Sequence, residues 1–208
     1  MSETIGDHQT STFIPKGAFT GPKPPLKPKQ IWSIRTRLNL AKRVRDAAMF
    51  DLAIDSKLRG CDLVRLTIGD IELHGIVRSR ATVVQRKTGR PVQFEITEQA
   101  RTTVRSWLKT VGTRPEAYLF PSRVNAAGHL STRQYARLVD DWVGLIGLDP
   151  SAYGTHSLRR TKAALIYKRT GNLRAVQLLL GHSKLESTVR YLGIEVDDAL
   201  TISEQTEI

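Results

Sequence analysis

Apolar residues recur at helical spacing along most of the chain, and one stretch in the middle breaks that rhythm. Residues 32–41 and 43–57 read as two helices, the second carrying Val44, Ala47, Ala48, Phe50, Leu52 and Ile54. "LRGCDLVRL" (58–66) reads as a turn followed by a short helix. Residues 70–96 change to β-branched runs, and Lys87-Thr88-Gly89-Arg90 reads as a hairpin turn before Pro91. This stretch predicts a small three-stranded antiparallel sheet. Residues 98–111 return to helical spacing. Ser131 to Leu145 repeats it, with Tyr135, Leu138, Val139, Trp142 and Leu145 on one face. From Thr155 to Tyr191 the pattern is helical with two breaks. Thr155 can cap the first helix, Gly171-Asn172 closes it, and Leu173 to Leu180 is the next. Gly181 suits a left-handed C-cap, and Ser183 with Glu186 forms a capping-box pair that opens the last helix. The class predicted is α+β: mainly helical, with one small antiparallel sheet.

The two ends differ from this body. Residues 1–30 hold Pro15, Pro22, Pro24, Pro25 and Pro28, with Lys23, Lys27 and Lys29 between them. Proline at this density argues against a helix or a central strand, so the segment reads as a flexible basic arm. Residues 31–195 read as one domain. Residues 196–208 read as an acidic tail, with Asp197, Asp198, Glu204 and Glu207 and, just ahead of them, Glu195.

Composition narrows the function. Of 208 residues, 40% are hydrophobic and 25% charged, the balance of a globular protein. No apolar run approaches the roughly 20 residues that span a bilayer, and the N-terminus lacks the apolar region of a secretory signal. The single cysteine, Cys61, leaves no internal disulfide and no zinc cluster, which fits a reducing cytoplasm. The net charge of +12 points to a phosphate-rich partner. A membrane surface competes with nucleic acid for that role, but no segment has the basic amphipathic pattern of an interfacial helix.

Several residues could carry chemistry. In "GTHSLRRTK" (154–162), His156 and Arg159 share a helix face in the first turn, where backbone N–H groups favour an anion. Spacing does not decide between Arg159 and Arg160, and an exposed basic helix start is the plain alternative. Arg59 stands beside a glycine near Asp62, where an arginine closing a helix has a structural reason of its own. Lys87 sits at a turn among Arg78, Arg80, Arg86 and Arg90; it is either part of a solvated hairpin or a cation that reaches a phosphate. Tyr191, nine residues after His182, fits a core position as well as a functional one. The chain lacks a glycine loop followed by Lys-Ser/Thr, and lacks a carboxylate cluster for two metal ions. Chemistry on a phosphodiester would then use no metal and no cofactor, only cationic side chains and a side-chain nucleophile.

In chain order the candidates are Arg59, Lys87, His156-x-x-Arg159, His182 in "LLGHS", and Tyr191. This set resembles the signature of the tyrosine recombinases, the phage integrase family, over about residues 32–195. "THSLRRTKAALI" and "LLGHSKLESTVRYLG" are its most specific parts; "LRGCDLVRLTIGDI" matches well, and "RKTGRPVQFEI" less specifically. The resemblance implies a strand transferase acting on double-stranded DNA. Tyr191 would attack a phosphodiester, Arg59 and Arg159 would clamp its oxygens, and Lys87 would protonate the leaving oxygen. His156 would assist proton transfer, His182 would bond the phosphate, and Asp62 would orient Arg59 or His156. Arg78, Arg80, Arg86, Arg90, Arg160 and Lys162 would touch DNA. The family's strand exchange implies a tetramer on paired sites, joined through C-terminal tails. The family's N-terminal core-binding domain has no counterpart among these residues. A relaxing activity like that of type IB topoisomerases, a DNA-binding regulator without catalysis, and an RNA-binding protein are the competing readings; the last predicts stacking aromatics on the sheet, where only Phe94 stands.

Overall fold

The fold comes from a computed structural model, which describes residues 23–124 and 128–194 together with Leu200, Ser203 and Glu204. The elements in order are helix α1 (Pro28–Leu40), α2 (Val44–Ser56), α3 (Gly60–Leu63), α4 (Ile68–Ile71), strands β1 (Glu72–Leu73), β2 (Ile76–Val77), β3 (Arg80–Val84) and β4 (Pro91–Glu95). There follow α5 (Glu98–Val111), α6 (Thr132–Gly144), a 3₁₀ turn (Pro150–Ala152), α7 (Thr155–Thr170), α8 (Leu173–Leu180) and α9 (Leu185–Leu192). None of the described helices is long and apolar enough to cross a membrane.

Helix α2 is the axis of the fold. Every residue from Asp46 to Ser56 is buried. Its apolar side meets Trp142 of α6, whose ring stands edge-on to Phe50 at 5.6 Å. Its acidic residues cannot be left bare in such a position, because an unpaired buried carboxylate is costly. Asp51 accepts from Arg35 Nε at 2.5 Å and from Thr103 Oγ1 at 3.1 Å. Asp55 accepts from the backbone and hydroxyl of Thr97 at 2.8 and 2.6 Å, and from Lys162 Nζ at 2.6 Å. These bonds tie α1, α5 and α7 to the axis.

The sheet differs from the expected three strands. Two separate two-stranded ladders form, β1 with β2 and β3 with β4. His74 and Gly75 both have positive φ, 51° and 81°, so the chain reverses in a tight two-residue turn and Ile76 pairs back onto Leu73. This turn closes one hairpin before the next begins. In the second ladder Arg80 faces Glu95 and Val84 faces Pro91, with residues 85–90 as the turn.

The proline-rich arm also needs revision where it can be seen. Pro28 is the first residue of α1, a position where its missing N–H costs nothing. Residues 23–27 run as an extended strap against α7. Leu26 is 2% exposed and its N–H donates to Thr161 Oγ1 at 2.9 Å. Arg160 Nη1 donates to Lys23 O at 2.6 Å, and Lys23 Nζ donates to the carbonyls of Ser151 and Tyr153. Proline's fixed φ, which excludes a helix, suits such a strap. Leu26→Ala is therefore expected to cost about 2–4 kcal/mol in urea unfolding; a loss below about 0.5 kcal/mol would show that the strap adds nothing to the core. The rest of the expected arm, residues 1–22, and nearly all of the acidic tail lie outside the described residues.

Two cores result. The large one joins α1 to α6. A small one consists of Ala163, Val176 and Leu180, with Ile166, Tyr167, Tyr191 and Leu192 packed on it. Helices α8 and α9 rest on this second core.

Candidate active site

Helix α2 stops at Lys57, which takes a left-handed conformation at φ 54°. The next residues are extended, and Arg59 lies at the N-cap of α3. Lys57 itself is 1% exposed. Its Nζ donates to both carboxylate oxygens of Glu95 at 2.9 Å, which fixes this corner against β4. Arg59 Nη1 donates to Gln85 Oε1 at 2.5 Å.

Gln85 opens the turn of the second hairpin. The backbone N–H groups of Thr88 and Gly89 both donate to its carbonyl, which closes a tight loop. Lys87 stands exposed on that loop. Asp62 accepts from the backbone N–H of Arg86 at 2.9 Å, so this carboxylate anchors the hairpin turn.

Helix α7 begins after Gly154, which holds the N-cap position expected of Thr155. His156 lies exposed in the first turn, and Arg159 follows one turn later at 2% exposure. Arg159 Nη1 donates to Lys57 O, and Nη2 donates to Leu180 O at 2.8 Å. One buried guanidinium thus joins the end of α2 to the end of α8.

Gly181 is the left-handed C-cap of α8, at φ 67°. The position also excludes a side chain on space alone: a Cβ there would approach Val92 Cγ2 to 2.4 Å. The chain turns at His182, whose Nδ1 lies 3.1 Å from Thr188 Oγ1 on α9. The capping-box expectation for Ser183 is not met, because Lys184 occupies the N-cap and no side chain caps the helix. Tyr191 is carried on the last turn of α9. Its ring stands edge-on to His182 at 5.4 Å, and its hydroxyl is 3.5 Å from the carbonyl of His156. The guanidinium of Arg160 lies over the ring at 4.7 Å and that of Arg159 at 5.9 Å.

The spacing left Arg159 and Arg160 undecided, and the structure separates them. Arg159 bonds the two carbonyls at the heart of the site. Arg160 is 7% exposed, covers the tyrosine ring and holds the strap. Lys162 also turns inward, paired with Asp55 at 2.6 Å and Glu95 at 2.7 Å, so its charge is neutralised within the fold. It is partly exposed, unlike the four arginines that accompany it among the expected DNA contacts. Arg78, Arg80, Arg86 and Arg90 are all exposed on and around the second hairpin.

Concentrated positive charge dominates the electrostatics. Partial desolvation lowers the His156 imidazole below its usual range, although the residue as a whole is exposed, and Arg159, Arg160, Arg59 and Lys87 push it the same way. Burial, with Arg159 and Arg59, pushes His182 down to about 4. Burial also brings Arg159 down to about 10, offset in part by Tyr191, so it keeps its charge at neutral pH. For Tyr191 burial raises the phenol and wins over Arg159, Arg160 and Arg59, which pull the other way. Positive charge is thus concentrated around a phenol that stays neutral at pH 7. Among the described residues no three His, Cys, Asp or Glu side chains gather in a group that could hold a metal ion.

A stability test follows from His182. Its folded pKa lies below its unfolded value of about 6.5, so between about 4 and 6.5 the unfolded chain binds the extra proton. Stability is expected to fall as pH drops through that window, and His156 acts in the same direction. His182→Asn should flatten the slope in urea unfolding measured from pH 7 to pH 4. An unchanged slope would show that His182 titrates alike in both states.

Gln85 and Lys57 were not visible as site residues in the sequence. A glutamine at the end of an apolar strand, two residues before the hairpin lysine, is the one signal that could have singled out the first. Lys57 offered none, since its carbonyl does the bonding.

The sequence profile of the Phage integrase family matches residues 25–196. Tyrosine recombinase XerC of Psychromonas ingrahamii is 32% identical over 168 residues, covering 78% of this chain and 53% of that protein. The probable integrase/recombinase YoeC of Bacillus subtilis is 29% identical over 158 residues, covering 76% of this chain and 82% of that one. The chain thus spans about half the length of the XerC relative. The crystal structure of XerA recombinase shares the fold, with a TM-score of 0.71 at 20% identity over 87% of this chain and 64% of that one. Profile, ordered residue set and fold agree, and the chain belongs to the phage integrase family.

Proposed function

We propose that this protein is a site-specific DNA recombinase or integrase that cuts and rejoins strands through a covalent 3′-phosphotyrosine. The observation that carries the reading is the meeting of Tyr191 and His182, both half-buried, with the buried Arg159 and Arg160 at one corner near Arg59. A phenol in that setting has an obvious electrophile: a phosphodiester drawn in by the cations.

Tyr191 Oη attacks phosphorus, the bond to the 5′-oxygen breaks, and the 3′-phosphate stays on the enzyme. The phenolic proton leaves towards His156, whose depressed pKa keeps it a neutral acceptor at pH 7. Lys87 delivers a proton to the departing 5′-oxygen from its exposed loop. Arg59 and Arg159 neutralise the charge that builds on the non-bridging oxygens, and His182 bonds one of them. Phosphate held by the arginines offsets the burial that keeps the phenol protonated. Because the tyrosyl ester retains the bond energy, a second 5′-hydroxyl can reverse the step without ATP or a metal. Double-stranded DNA is the substrate, gripped also by Arg78, Arg80, Arg86 and Arg90; a tetramer on two duplexes performs the exchange in the cytoplasm.

A nicked duplex that loses its short 5′-hydroxyl fragment after cleavage traps the intermediate. Wild-type protein is expected to form a protein–DNA band that survives denaturant. Tight DNA binding without such a band on any site from the native locus would favour a regulator that acts by occupancy. Relaxation of supercoiled plasmid without site preference would favour the topoisomerase-like activity. Salt sensitivity would not separate them, since phosphate contacts serve all three.

A further inference from the structure

We propose that Gln85 is a positioning residue that aims Arg59 at the phosphate and locks it to Arg159 and the Lys87 loop, an inference that rests on the recombinase reading. Gln85 is fully buried, at 0% exposure, and both ends of its amide are engaged. Oε1 accepts from Arg59 Nη1 at 2.5 Å and from Thr88 Oγ1 at 3.1 Å. Nε2 donates to Leu180 O at 3.2 Å, the same carbonyl that Arg159 Nη2 reaches at 2.8 Å. A continuous path therefore runs from Arg59 through Gln85 and Leu180 to Arg159. Its backbone carbonyl also closes the turn that carries Lys87. Three distant stretches of chain meet on this one side chain.

The choice of an amide has a physical reason. Arg59 and Arg159 carry like charges and repel one another. Some fixed acceptor has to hold each guanidinium in place before the substrate arrives. A carboxylate there would neutralise the pair and compete with the phosphate. A neutral carbonyl oxygen orients the arginine and leaves its charge for the reaction. The room is fitted closely: a Cβ on Gly181 would lie 3.1–3.2 Å from the Gln85 amide. Leu180 O keeps the Arg159 donor if Gln85 is replaced, so the apolar variant Gln85→Met leaves no buried acceptor bare there.

Gln85→Met is expected to slow single-turnover cleavage of the nicked duplex about 100-fold, with the DNA Kd changed less than about threefold. In an Arg59→Ala background the same replacement is expected to add less than about threefold, because the residue acts through Arg59. Multiplying losses in the double variant, or wild-type rates in Gln85→Met, would overturn the inference. A second readout needs no activity. Arg59 side-chain ¹⁵N signals are expected to show slow guanidinium rotation in the wild type and free rotation in Gln85→Met; free rotation in the wild type would overturn the inference. If Gln85→Met does not fold, Gln85→Asn, which stops one methylene short of both partners, is read in the same way. Absence of any wild-type adduct would sink the recombinase reading, while the Arg59 signals would still decide the role of Gln85.

Discussion

Tyr191→Phe is expected to abolish the covalent DNA adduct, a loss of about 10⁴-fold or more, and to leave folding and DNA affinity intact. The reason is the smallness of the structural change. The hydroxyl lies 3.5 Å from the His156 carbonyl and also interacts with the Arg159 guanidinium, which keeps its two carbonyl partners without it. The ring does the packing, edge-on to His182 and beneath Arg160, and phenylalanine keeps that ring. Stability should therefore move by no more than about 1.5 kcal/mol, the size of one lost hydrogen bond. Loss of a covalent nucleophile costs far more than loss of any one supporting group. Denaturing gels of the trapped reaction, a filter-binding Kd and a urea curve read the three quantities together. Adduct formation at the wild-type rate in this variant would remove Tyr191 from the chemistry.

Arg159→Lys is expected to have the second largest effect, about 10³-fold on the rate of adduct formation, together with about 1–3 kcal/mol of stability. The charge is conserved, so the loss measures geometry. Arg159 spends one N–H on Lys57 O and another on Leu180 O, and has others left for a phosphate oxygen. An ammonium donates from a single point and cannot serve both carbonyls and the substrate. Leu180 O would keep Gln85, but Lys57 O would lose its side-chain donor in a buried place. Single-turnover cleavage and urea unfolding check the two figures. A rate within tenfold of wild type would show that charge alone suffices.

Much of this site was legible in the sequence because its residues sit at local landmarks. Gly181 had to be a glycine, and helices α6 and α8 follow their apolar spacing closely. The order Arg59, Lys87, His156, Arg159, His182, Tyr191 needed no tertiary information. What stayed hidden depends on contacts between distant segments. Asp51 and Asp55 are polar residues on the most buried helix, and bonds from Arg35, Thr103, Thr97 and Lys162 make that tolerable. Lys162 reads as a surface cation until Asp55 and Glu95 are seen beside it. The proline-rich strap looked like a free arm because prolines mark where helix is excluded and say nothing about packing. The expected three-stranded sheet became two separate ladders through one tight turn at His74-Gly75, whose positive φ values closed a hairpin early.

The small second core has a consequence for motion. Helix α9 has one fully buried residue, Thr188, and rests on a core of three, whereas α2 is buried along almost its whole length. A foldon so lightly anchored opens at a free energy well below that of global unfolding, and its amides would exchange with solvent first. Tyr191, the proposed nucleophile, is thus mounted on the part of the molecule expected to lift away and reseat before the larger core opens.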